Sequence, residues 1–166
     1  MTKQRQYVWI CRYGLTAFPL VESVGPYDSD IDVSVGHAEC IAQRIHQDDA
    51  ARPQRIYASP FLRCVHTAHI IAKEGHHSDS NKNNKPTVRI EEGLTEWQVP
   101  GLLVEPHGTR TYPQDAQSHA QTFDAAIDTS YKSKNPVSDA AWEDEEALFQ
   151  RCQTTLDAIL SGTYLR

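Results

Sequence analysis

The sequence predicts a three-layer α/β domain with a mostly parallel central sheet covered on both faces. Tyr7-Val8-Trp9-Ile10 is a short apolar run of aromatic and β-branched residues, which reads as a fully buried strand. Arg55-Ile56-Tyr57-Ala58 reads as a second strand running straight into Ser59-Pro60, a strong helix start. Thr87-Val88-Arg89-Ile90 reads as a third strand. A strand buried on both faces belongs in the middle of an α/β sheet, and such sheets bind ligands beyond the carboxyl ends of their strands.

The first strand stops on Cys11-Arg12-Tyr13-Gly14. Arg12 falls where the ligand crevice would be, and an arginine there suits a phosphate or carboxylate. Gly14 lets the backbone turn sharply or approach a ligand closely. Taken alone, the stretch favours a plainer reading, with Arg12 ending a strand and pairing with a surface acid. Cys11, one residue away, should point to the opposite face of the strand and into the core.

Residues 15–35 are broken by Pro19, Gly25, Pro26 and the aspartates Asp28, Asp30 and Asp32, so they read as a loop over the first strand's end. The aspartates lack the Gly and distal Glu of a calcium loop and fit turns and caps better. From Ser34, a cap, Ala38, Ile41, Ala42 and Ile45 fall on one helical face that ends before Pro53. The helix after Ser59-Pro60 carries Leu62, Val65, Ala68, Ile70 and Ile71 and should close at Gly75. Arg63 then lies in the first turns of a helix at a strand's carboxyl end, where the field favours an anion and a forked donor suits a phosphate. Two arginines so placed suggest a convergent oxyanion site.

Residues 75–86 read as a polar, flexible loop, and residues 98–136 as an irregular insertion that either covers the strand ends as a lid or is padding. The last helix should run from about Asp139 to Leu160, with acids crowding its start. Leu148, Cys152, Leu156, Ile159 and Leu160 should form its buried stripe.

The bulk numbers bound the role. With 166 residues, 39% of them hydrophobic, residues 1–166 make a single domain with a real core. A formal charge of -6 without a basic block argues against nucleic acid as a partner. The scattered Cys11, Cys40, Cys64 and Cys152 fit reduced residues in packed elements. No histidine lies in a recognisable metal-ligand spacing, so neither a metal nor a cofactor is expected. No apolar segment approaches the length of a membrane span, and the polar N-terminus has no signal-peptide pattern, so no membrane partner and a cytoplasmic location are expected, a nuclear one being equally compatible.

Three segments together resemble one family. Cys11-Arg12-Tyr13-Gly14 is similar to the Arg-His-Gly signature of the histidine phosphatase superfamily, the phosphoglycerate mutase-like fold. Tyr57 to Ala68, with Ser59-Pro60-Phe61-Leu62-Arg63 inside it, closely resembles that family's second phosphate-binding segment. Glu92-Gly93-Leu94-Thr95-Glu96-Trp97, with Asp128 to Tyr131, resembles the branch containing the UBA/SH3-containing phosphatases. The resemblance implies that Arg12 and Arg63 clamp phosphoryl oxygens and that Glu96 protonates the leaving group. It also puts Tyr13 where the family has its nucleophilic histidine.

That substitution bears on the chemistry. A neutral imidazole is a competent nucleophile near pH 7, whereas a phenol with a pKa of about 10 is almost wholly protonated. The family's second active-site histidine lies on a strand after the last helix, and the sequence reaches Arg166 without that strand. The expectation is a degenerate domain lacking the C-terminal strand and helix, whose impaired site binds a phosphorylated small molecule or phosphoprotein. Self-association through the incomplete sheet is expected with it. A longer, active phosphomonoesterase and a non-catalytic interaction scaffold are the alternatives.

Overall fold

The computed structural model describes residues 7–13, 31, 35–48, 52–78, 86–99, 113–123, 127–137 and 142–161, with side chains left undescribed at 75–78. Gly14, the aspartate-bearing loop, the Ser34 cap, the polar segment 79–85 and residues 100–112 of the insertion lie outside them. The element order is α1 (Val35–His46), β1 (Arg55–Ala58), α2 (Leu62–Ser78), β2 (Thr87–Ile90), a 3-10 turn (Glu92–Leu94), α3 (Ala116–Phe123) and α4 (Glu145–Ser161).

β1 and β2 are parallel, with Ile56 opposite Val88 and Ala58 opposite Ile90. Ile127 adds a parallel bridge to Val88. Alternation sends Ile56, Ala58, Val88 and Ile90 to one face, where they pack with Val65, Ala68 and Ala72 of α2 and Phe123 of α3. Ala68 and Ala72 let α2 approach the strands closely. Each buried Val or Ile there contributes about 1.5–3 kcal/mol. The opposite face carries Tyr57 and Arg89. Arg89 pairs with Asp128 at 3.2 Å and lies 5.2 Å from the ring centroid of Tyr131.

α1 forms over the expected face. Ala38, Ala42 and Ile45 are buried, with Ile45 and Ala42 meeting Ile71 of α2. His46 Nε2 bonds the Ile71 carbonyl at 2.9 Å, tying the two helices at one end.

Several expectations are corrected. Tyr7–Ile10 is not a strand: it pairs with no described residue, and its side chains are exposed, Ile10 to 87%. β-branched and aromatic residues favour extended backbone, but burial needs a ladder, and neither β1 nor β2 supplies one. Cys11 is accordingly exposed, as are Cys40 and Cys152, so these thiols are not packed core residues. α2 starts at Leu62, two residues beyond Pro60, because the Phe61 carbonyl takes the first helical bonds from Cys64 and Val65. It runs through Gly75 to Ser78, since an interior glycine costs only about 1 kcal/mol.

The supposed irregular insertion contains α3, capped by Asp115, whose Oδ1 accepts from Ser118 N at 2.8 Å. α4 begins at Glu145, with Asp144 capping Ala147 N at 2.8 Å. Its buried residues are Arg151 and Thr155, while Cys152 and Leu156 of the expected stripe are exposed and Phe149 beside them is 64% exposed. Among the described residues, no helix is long and apolar enough to cross a membrane.

Candidate functional site

The site forms where the segments after β1 and β2 meet. β1 ends at Ala58, the chain turns through Ser59–Phe61, and α2 opens with Leu62-Arg63. Arg63 therefore sits in a first helical turn, where unpaired N–H groups and the helix field favour an anion. The turn is braced from outside: His119 of α3 bonds the Pro60 carbonyl through Nε2 at 2.7 Å. A carbonyl only accepts, so this nitrogen carries the hydrogen.

The four residues singled out in the sequence come together. Arg63 reaches Glu96 at 3.5 Å, Nη2 to Oε2. Its guanidinium carbon lies 4.8 Å from the ring centroid of Tyr13 and 4.5 Å from that of Phe61. Arg12 lies 5.2 Å from the same Tyr13 ring. Both cations thus lie within cation–π range of one ring. Arg63 is buried while the Glu96 side chain is 41% exposed, so the long Arg63–Glu96 contact is a loose one and adds little stability.

Beside this cluster opens a cleft of about 410 Å³. Phe61 and Thr95 line it next to Arg63 and Glu96, and Tyr131, Lys132 and Asp115 line its far side. Among the described residues, no group of three or more His, Cys, Asp or Glu side chains is placed to hold a metal ion.

Two buried charged groups build the loops around the site, and the sequence reading missed both. Glu91, fully buried at the end of β2, accepts from the Tyr131 hydroxyl and the Ser133 hydroxyl, each at 2.6 Å. It also accepts from the backbone N–H groups of Lys134 at 2.8 Å, Asn135 at 3.1 Å and Gly93 at 3.2 Å. Burial alone would raise its pKa, but the hydrogen bonds from Ser133, Tyr131, Lys134 and Asn135 outweigh it and hold the carboxyl below its ordinary range. Burial and the bond to Glu91 push the Tyr131 phenol well above its usual value. At the neighbouring Asp128, the Ser130 hydroxyl, and then Arg89 against partial burial, hold the carboxyl low.

The second group is Arg151 of α4. It forms a fork with Glu143, Nε to Oε1 at 2.5 Å and Nη2 to Oε2 at 2.8 Å. It also donates to the carbonyls of Gly93 at 2.8 Å, Thr95 at 3.1 Å and Glu96 at 3.3 Å. A residue placed on a helix mostly read as apolar leaves little sequence signal for such a role. The one available clue was a charged residue between Leu148 and Cys152.

The sequence model described as "Histidine phosphatase superfamily (branch 1)" matches residues 8–164. No curated protein matches the chain. Among solved structures, the chain is similar to the ecdysone phosphate phosphatase from Bombix mori in complex with tungstate, at 21% identity and a TM-score of 0.60. That match covers 82% of this chain and 48% of the other, so this chain spans about half the length of that structure.

Proposed function

The chain belongs to the histidine phosphatase superfamily, branch 1, and from that premise we propose that it recognises a phosphoryl group through Arg12 and Arg63 with its hydrolytic chemistry impaired. The observation that carries this reading is the convergence of Arg12 and Arg63 on the Tyr13 ring, with Glu96 beside Arg63. Two guanidinium groups and a helix N-terminus make a receptor for a tetrahedral oxyanion. The phenol of Tyr13 occupies the nucleophile's position and is a poor nucleophile near pH 7 for want of a base to deprotonate it. Glu96 can still donate a proton or a hydrogen bond to an oxygen held by Arg63.

The ligand on this reading is a phosphorylated small molecule or phosphoprotein, its organic part lying in the cleft beyond Phe61 and Thr95. Among the residues named on the cleft wall, Asp115 and Lys132 offset one another, which disfavours a polyanionic organic part. The likeness to a phosphatase holding tungstate makes tungstate the natural probe. The setting proposed is the cytoplasm.

Titration calorimetry with tungstate and with inorganic phosphate tests the reading. Saturable binding lost in Arg63→Ala, with p-nitrophenyl phosphate turned over no faster than in buffer, is the expected result. Robust turnover would instead make the protein a working phosphomonoesterase. Absence of any tungstate binding would leave a scaffold role, which the exposed Phe149 and Leu156 of α4 favour.

A further inference from the structure

Glu96 is held by its backbone rather than by its side chain. Its carboxylate is 41% exposed, its contact with Arg63 is 3.5 Å, and Oε1 takes a local bond from Trp97 N at 3.2 Å. The peptide that carries it is by contrast fixed along nearly its whole length. Arg151 takes the carbonyls of Gly93, Thr95 and Glu96. Glu143 takes the following two residues. Its backbone N–H donates to the Gln98 carbonyl at 2.8 Å, its Oε2 accepts from Gln98 N at 3.1 Å, and its carbonyl accepts from the Trp97 indole at 3.1 Å. The two are joined by their own two-bond fork, with side chains only 8% and 13% exposed.

We propose that Arg151 and Glu143 are positioning residues for Glu96, a buried ion pair that sets where the Glu96 carboxyl stands relative to an oxyanion held by Arg63. The inference rests on the reading of Arg63 and Glu96 as parts of one oxyanion site. Three carbonyls aimed at one guanidinium need a planar fork with several donors, which arginine supplies and lysine does not. The carbonyls at 93, 95 and 96 lie along one short, tightly turning stretch, so a shift of the guanidinium moves the Glu96 Cα with it. Arg151 touches neither Arg63 nor the cleft wall in any contact described above, so its influence on bound anion passes through the 93–98 peptide.

A mutant cycle read by tungstate calorimetry separates positioning from mere support of the fold. Arg151→Lys keeps a cation and most of the buried volume but loses the fork. It is expected to change the tungstate Kd about fivefold in the otherwise unaltered chain and by less than about 1.5-fold in a Glu96→Ala background, the coupling expected of groups acting through one another. Glu143→Gln provides the same cycle with a different disturbance, should the lysine variant not fold. Equal effects in both backgrounds, with binding intact and still lost in Arg63→Ala, would overturn the positioning role and leave the oxyanion site standing. No tungstate binding by the unaltered chain would overturn both.

Discussion

The guanidinium of Arg63 lies 4.8 Å from the Tyr13 ring centroid and 4.5 Å from that of Phe61, so two aromatic rings hold one cation at the mouth of α2. The ring, not the hydroxyl, is what Tyr13 gives to this contact. Tyr13→Phe should therefore leave tungstate affinity within about twofold, while Tyr13→Ala should weaken it about fivefold, the size of a cation–π contact of about 1 kcal/mol. Calorimetry on the three proteins checks both. If p-nitrophenyl phosphate hydrolysis were found and were lost in Tyr13→Phe, the phenol would be the nucleophile after all.

Gly93 packs against α4 with no room to spare. A Cβ built there meets both side-chain ends of Thr155, a residue with no exposed surface, and lies 3.0 Å from Asn135 Cβ. Thr155 cannot swing away, because its hydroxyl donates to the Arg151 carbonyl at 2.7 Å and accepts from Asn135 at 2.9 Å. Gly93→Ala should cost about 2–3 kcal/mol by overpacking. Adding Thr155→Ala should recover part of that loss, since it removes both atoms struck. Denaturant melts of the single and double variants decide it, and simple addition of the two costs would contradict the packing argument.

Arg63 and its helix are legible because a strand, a Ser-Pro turn and an apolar 3.6-residue period are all local signals. Glu96 is legible only through the resemblance of the segment around it. Arg151 and Glu91 are not, because their partners are backbone groups 40 to 58 positions away and a carbonyl acceptor has no residue type. α4 misleads for a related reason. Leu148, Cys152 and Leu156 form the periodic pattern, yet the face that meets the 3-10 turn presents Arg151 and Thr155 because that turn offers carbonyls and an amide, not apolar surface. Tyr7–Ile10 misleads because composition reports a preference for extended backbone and says nothing of which strand lies beside it.

Those exposed apolar residues have a consequence in solution. Tyr7, Val8, Trp9 and Ile10 are all more than 40% exposed, as are Phe149 and Leu156 on α4. Apolar runs of this kind drive association. Sedimentation at rising concentration should show self-association of this chain, reduced in a Phe149→Glu, Leu156→Glu double variant if α4 takes part. A monomer across the whole concentration range would rule it out.

Glu91 should make the fold acid-sensitive. Its folded carboxyl titrates below the ordinary value of about 4.3, so as pH falls the unfolded chain takes up the proton first. The stability Glu91 contributes is therefore complete above that value and is lost as pH drops through the folded one. Asp128 and Asp115, also held low, steepen the same limb and keep part of it when Glu91 is replaced. Glu91→Gln presents an amide to hydroxyl and N–H donors that need an acceptor, and should cost about 3 kcal/mol at pH 7. Because the variant no longer has the Glu91 carboxyl to protonate, its difference from the unaltered chain should shrink as pH falls from 5 to 3. Urea melts over that range measure the difference directly, and a gap that stayed constant with pH would mean that the carboxylate charge is not what holds residues 131–135 in place.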